Sequence, residues 1–168
     1  EAWGGGRPPA GDAPFEAELR AAARAAGDAA AGAAPGATPE VAVTAHGSAV
    51  AIPDEVRLEL LRIAQAALAN ALQHADARRV AVDLAYHGAA APSLGSAAPA
   101  SVRISVADDG RGFDPEASRP GRYGLVGMCE RAARVGADLT LVTAPGEGTE
   151  VVVMWRAGAD GLPPGAGQ

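Results

Sequence analysis

The segment from Pro53 to His74 constrains this chain more than any other. Pro53 and Asp54 supply a helix start, and residues 55–74, EVRLELLRIAQAALANALQH, contain neither Gly nor Pro. Leu60, Leu61, Ala64, Ala67, Leu68 and Ala71 fall at i, i+3, i+4 spacing, which predicts a helix packed along one apolar stripe. Beside it Arg62, Ala66, Asn70 and His74 recur at every fourth residue. Apart from Ala66 that second stripe is polar, so one helix offers both a core face and a chemical face.

The other elements are shorter. Residues 15–26 (FEAELRAAARAA) predict a helix stopped at Gly27, followed by a small-residue linker to residue 39. Residues 40–46 (EVAVTAH) alternate and predict a strand. Residues 79–86 put Val80, Val82, Leu84 and Tyr86 on one strand face, and 101–107 do the same with Val102, Ile104 and Val106. Residues 124–135 predict a helix ended by Gly136, and strands at 138–143 and 149–156 flank the turn APGEG at 144–148. The Gly/Pro-rich ends, 1–14 and 157–168, read as disordered, and 87–100 reads as a long hairpin loop.

The short connections favour antiparallel neighbours. The expected fold is α/β: a two-layer sandwich over residues 15–156, its mixed, mostly antiparallel sheet covered on one face by three helices. Aromatic residues make up only 4%, so Ala, Val, Leu and Ile must build the core, joined by one of Met154 and Trp155.

Several function classes fall away. No strand is followed by GxGxxG opening a helix, and no GxxxxGK[ST] occurs, which argues against a Rossmann unit and a P-loop. A net charge of -6 excludes general nucleic-acid binding, which needs basic surface. Every basic residue other than His is Arg, so no lysine can serve as nucleophile, Schiff base or phosphate clamp. The single cysteine, Cys129, allows no intrachain disulfide and no thiolate metal cluster, and fits a reducing compartment. No apolar run approaches the roughly 18 residues of a membrane span. The N-terminus also lacks a signal peptide's pattern. The expected setting is cytoplasmic, with no direct membrane contact. The chain begins at Glu1 without Met, as a piece of a larger protein would.

Four separated segments carry chemistry: NALQHA from Asn70, DDGRGF at 108–113, YGLVGM at 123–128 and PGEGT at 145–149. Gly110 and Gly112 let backbone approach a flat ligand, and Asp108, at a strand end, offers an acceptor for an exocyclic amine. Gly124 and Gly127 bracket a helix start, where free N–H groups and the helix dipole favour an anion. Asn70 and His74 lie one turn apart. An amide oxygen is a hard ligand suited to Mg²⁺, and an imidazole can donate to phosphate. Arg111, Arg119 and Arg122 read first as solvated surface, with a phosphate contact as the alternative, and Asp109 reads as a turn residue or water ligand.

In this order and spacing the segments resemble the GHKL ATPase superfamily. Within it they are most similar to the NarL-partner type of bacterial two-component sensor histidine kinase. RIAQAALANALQHA looks like the family's N box, VADDGRGFDP its G1 box, YGLVGMCERA its G2 box and APGEGTEVVV its G3 box. The likeness covers residues 40–156, more weakly 15–26. It implies a Bergerat sandwich that binds ATP and Mg²⁺. Asp108 would bond the adenine amino group, with Gly110, Gly112 and Phe113 shaping its pocket. Asn70 would hold Mg²⁺, and His74 would touch phosphate. Residues 114–123 would form a lid over the ATP. Gly124, Leu125, Gly127 and Met128 would form its hinge and the phosphate-facing helix start. Thr149 would support the adenine end through water.

The likeness also implies partners, namely a separate dimerisation domain that carries the phospho-acceptor histidine, and a response regulator. None of His46, His74 and His87 sits in an H-[DE]-L helical context, so the acceptor is expected outside this chain. One departure stands out. The family's N box carries Glu four residues before the Asn, and here that position is Ala66. A carboxylate there would polarise a nucleophile or organise the metal site, so binding without full catalytic strength is expected. That leaves two alternatives to a sensor kinase: a weakened nucleotide-sensing module, or a GHKL serine kinase of the anti-sigma type.

Overall fold

The computed structural model describes residues 13–33, 39–88, 99–116 and 123–158. They form three helices, α1 (Ala13–Ala33), α2 (Asp54–His74) and α3 (Tyr123–Arg134). Five strands accompany them: β1 (Glu40–His46), β2 (Arg79–His87), β3 (Ser101–Asp108), β4 (Asp138–Thr143) and β5 (Thr149–Arg156). The sheet runs β1-β2-β3-β5-β4. β1 and β2 are parallel, joined by the α2 crossover, and every other pair is antiparallel. This is the expected two-layer α/β architecture. Most of the expected loop at 87–100 and lid at 114–123, and most of both end segments, lie outside the described residues.

Alternation explains the layering. Val80, Val82, Leu84, Val102, Ile104, Val106, Val151, Val153 and Trp155 point to one sheet face and are buried. The helices supply the other half of the core. Phe15, Leu19 and Ala23 of α1 meet Val56, Leu60, Ile63, Ala64, Ala67, Leu68 and Ala71 of α2, and Met128 and Ala132 join from α3. Of the two candidates at the end of β5, Trp155 is the core residue and Met154 only half-buried.

Two expectations along the helices change. Gly27 does not stop α1, which continues to Ala33. A helical glycine costs only about 1 kcal/mol relative to alanine, and the Ala-rich turns on either side absorb that. The core stripe of α2 contains Ile63, which the spacing rule passed over, while Leu61 is only partly buried.

The element ends place the site. β3 finishes at Asp108, paired to Thr149 at the start of β5. α2 ends beside it: the N–H of Arg111 donates to the carbonyl of Ala75, the C-cap of α2, at 2.7 Å. At the far end, α2 holds α3 through a buried carboxylate. Glu59 is 5% exposed and accepts from Arg131 and Arg134 of α3 at 3.1 Å each and from Arg62 at 3.4 Å.

Candidate functional site

A cleft of about 230 Å³ opens where these ends meet. α2 contributes Ala67, Asn70, His74 and Ala75, the sheet Val106, Asp108, Thr149 and Val151, the loop after β3 Arg111, Gly112 and Phe113, and α3 Gly124 and Leu125. Apolar walls with few polar groups suit a flat, partly polar ligand.

Asp108 is half-buried, and its Oδ1 accepts the Gly110 N–H at 2.9 Å. Burial pushes its carboxyl above the ordinary range and the neighbouring Asp109 charge adds to that, while backbone N–H groups of Gly110 and Thr149 hold it back. Asp109 does different work. Its Oδ1 accepts the backbone N–H groups of Arg78 and Arg79 at 2.8 and 2.9 Å, bonds that lower its pKa and tie the loop to the start of β2.

The two loop glycines have separate reasons. A Cβ on Gly110 would run into the carbonyl oxygen and Cβ of Ala75, so this glycine lets the loop pack on the end of α2. Gly112 has φ 55°, in the left-handed region, and a Cβ there would strike the carbonyl oxygen of Ala144. Gly112 lines the cleft and Gly110 does not.

α3 opens against Asn70. A Cβ added to Gly124 would lie 3.5 Å from both the Nδ2 and Oδ1 of Asn70, so the bare helix start leaves that amide accessible. The first turn of α3 carries no acidic side chain, which leaves its free N–H groups fit for an anion. His74 lies one turn beyond Asn70 on α2 and is exposed at the cleft.

The cleft thus gathers Asn70, His74, Asp108, Gly112, Phe113, Gly124, Leu125 and Thr149. Three other candidates lie off its lining. Gly110 packs behind it, Gly127 faces open space, and Met128, 1% exposed, is a core residue that anchors α3. Ala66 is half-buried against the core and also off the lining.

Arg111, read first as solvated surface with phosphate contact as the alternative, lines the cleft. Sequence reasoning missed Ala67, Ala75, Val106 and Val151 on the lining and Thr143 beside it. Thr143 braces the adjoining turn: its Oγ1 accepts the Phe113 N–H at 3.1 Å, lies 3.0 Å from the Gly148 carbonyl and 3.1 Å from the Thr149 hydroxyl. A hydroxyl at the end of a strand facing a glycine turn is the only local signal for it.

Residues 55–158 match the family of histidine kinase-, DNA gyrase B-, and HSP90-like ATPases. The chain belongs to that family. It is 30% identical over 107 residues to the signal transduction histidine-protein kinase/phosphatase DegS of Brevibacillus brevis, a match that covers 64% of this chain and 25% of that protein. It is 33% identical over 102 residues to the nitrate/nitrite sensor protein NarX of Escherichia coli, covering 61% of this chain and 15% of that protein. Among solved structures, the histidine kinase domain of the Erythrobacter litoralis EL346 blue-light activated histidine kinase matches with a TM-score of 0.60 and 26% identity, over 89% of this chain and 60% of that one. The chain spans about a quarter or less of the length of the two sensor proteins. Its relatives are sensor histidine kinases, which does not favour the serine-kinase or sensing-module readings. Among the described residues no helix is long and apolar enough to cross a membrane.

Proposed function

We propose that this chain is the ATP-binding catalytic domain of a two-component sensor histidine kinase. It would supply the γ-phosphate to a histidine on a separate dimerisation domain, for onward transfer to a response regulator. The observation that carries the reading is one cleft with the Asp108 carboxylate on the sheet side and the Asn70 amide on the helix side. Asp108 is the acceptor that reads the adenine amino group, and Gly112 and Phe113 bound the ring's space with Val106 and Val151. Thr149, braced by Thr143, supports the same end. His74 and the bare start of α3, Gly124 and Leu125, receive the phosphates.

The donor set fits Mg²⁺ in one way. Asn70 brings a neutral hard oxygen. Among the described residues no group of three His, Cys, Asp or Glu could hold a metal unaided. That favours an ion shared with the phosphates over one the protein keeps alone. When bound, Mg²⁺ would neutralise phosphate charge. The chain's own work is to orient the nucleotide, since phosphoryl transfer is catalysed mainly by positioning and electrostatics.

The test is calorimetric titration of the chain with ATP and ADP, with and without Mg²⁺, beside Asp108→Asn. Binding between the micromolar and millimolar range, about -8 to -4 kcal/mol, abolished by Asp108→Asn, is expected. Absence of binding under every condition would overturn the reading. Transfer itself is read in the parent kinase, as label from γ-³²P-ATP reaching its acceptor histidine.

A further inference from the structure

Arg111 sits between the two loop glycines, and nothing in the function above uses its side chain. Its backbone is pinned on both sides. Its N–H donates to the Ala75 carbonyl at 2.7 Å, and its carbonyl accepts the Gly146 N–H at 2.6 Å. The loop therefore cannot drift, and the guanidinium is delivered to the cleft at a fixed root. Among the described lining residues it is the only permanently charged cation, and Asp108 is the only carboxylate. The sequence contains no lysine that could serve instead.

The guanidinium's present partner is weak. Its Nη1 stands 3.8 Å from Oδ2 of Asp76, with the two side chains 64% and 85% exposed. Water-screened pairs of that kind hold little free energy, so the cost of leaving Asp76 is small. Asp76 itself has φ 51° in the turn just past the α2 C-cap, close to the cleft residue His74. A planar guanidinium with a replaceable partner matches phosphate oxygens, which it can engage through two donors at once.

Resting on the nucleotide-site reading above, we propose that Arg111 is a phosphate-contacting residue, paired with Asp76 until nucleotide enters and then transferred to the polyphosphate. Asp76 then acts as a competitor for the guanidinium, tuning affinity from outside the binding surface.

The test compares adenosine, ADP and ATP by calorimetry on the 168-residue chain, as wild type, Arg111→Gln and Asp76→Asn. A charge-assisted hydrogen bond lost to Gln weakens ADP and ATP about tenfold while adenosine binding stays unchanged. Asp76→Asn frees the guanidinium and tightens ATP by up to about fivefold. Wild-type ATP affinity in Arg111→Gln would overturn the proposal. So would an equal loss for adenosine and ATP, which would place the side chain on the base. A wild-type chain that binds no ATP would remove the nucleotide site itself, an outcome distinct from both.

Discussion

Glu59→Gln tests the one buried charged side chain among the described residues. Glu59 is 5% exposed and receives Arg131 and Arg134 at 3.1 Å each and Arg62 at 3.4 Å. Burial alone would raise its pKa. The hydrogen bond from Arg131 and the charges of Arg131, Arg134 and Arg62 overcome that and hold it below the ordinary value. Breaking a fully buried ion pair costs about 3–5 kcal/mol. Here the guanidiniums are between 35% and 54% exposed, so water compensates part of their loss, and Gln keeps one acceptor. The expected destabilisation at pH 7 is about 2 kcal/mol, below that range, or a fall in Tm of about 4–8 °C for a domain this size. The pH dependence has a definite sign. A carboxyl with a lowered folded-state pKa contributes stability above its unfolded value and loses it as pH falls through the folded one. The gap between wild type and Glu59→Gln should therefore be full at pH 7 and close progressively below about pH 4.3. Thermal unfolding followed by circular dichroism at pH 7, 5, 4 and 3 measures it. An unchanged Tm at pH 7, or a gap as wide at pH 3 as at pH 7, would refute the assigned role of the carboxylate charge.

Other consequences follow from the cleft. Because burial raises the Asp108 pKa, ATP affinity should fall on acidification before an ordinary aspartate would protonate, with a midpoint above about 3.9; calorimetry between pH 7 and 4 locates it. In the absence of ligand Asp108→Asn should raise Tm slightly, since it removes a half-buried charge and can still accept the Gly110 N–H, and a drop of several degrees would contradict this. Gly124→Ala places a methyl 3.5 Å from the Asn70 amide, ordinary contact for the protein. Its stability should hold or rise by up to about 1 kcal/mol of helix propensity, read as an unchanged or higher Tm, while Mg²⁺-ATP binding weakens, and undiminished binding would put the ligand elsewhere. Ala66→Glu should leave the ATP dissociation constant unchanged and, on the proposed function, speed autophosphorylation of the parent kinase about a hundredfold, the low side of the roughly 10²–10⁴ that a positioned base supplies; an unchanged rate would show that the position is catalytically silent.

Much of this was legible in the residues, for physical reasons that differ by element. The strands β1 to β5 declare themselves because alternation has period two and one buried face, as at Val80, Val82 and Leu84. The order and spacing of the four motifs sufficed for the resemblance. What stayed hidden depends on pairs distant in sequence. The acceptor role of Glu59 needs α3 packed against α2, a separation of 72 residues to Arg131 that no local pattern reveals. Gly110 and Gly112 sit two apart in one motif and share a residue type, yet one meets Ala75 and the other Ala144, so only one faces the cleft. Met128 belongs to the same motif as Gly124, but helical geometry turns it inward, where it is 1% exposed.

The position of Ala66 shows why binding and transfer are separable in this fold. The lining groups at the cleft come from the last turns of α2, the end of β3 and the loop after it, the start of β5, and the first turn of α3. Ala66 stands one turn before Asn70, about 6 Å along the helix axis, half-buried and off that lining. Substituting it removes no group from that lining. Nor can the nearest acid upstream on α2 take over. Glu59 lies about 10 Å further from the cleft along the helix, and its oxygens are occupied by three guanidiniums. On the proposed function, such a domain would keep its nucleotide affinity while its transfer rate responds to a carboxylate restored at residue 66. Ala66→Glu should therefore change the autophosphorylation rate without changing nucleotide affinity, whereas Asp108→Asn should lower both.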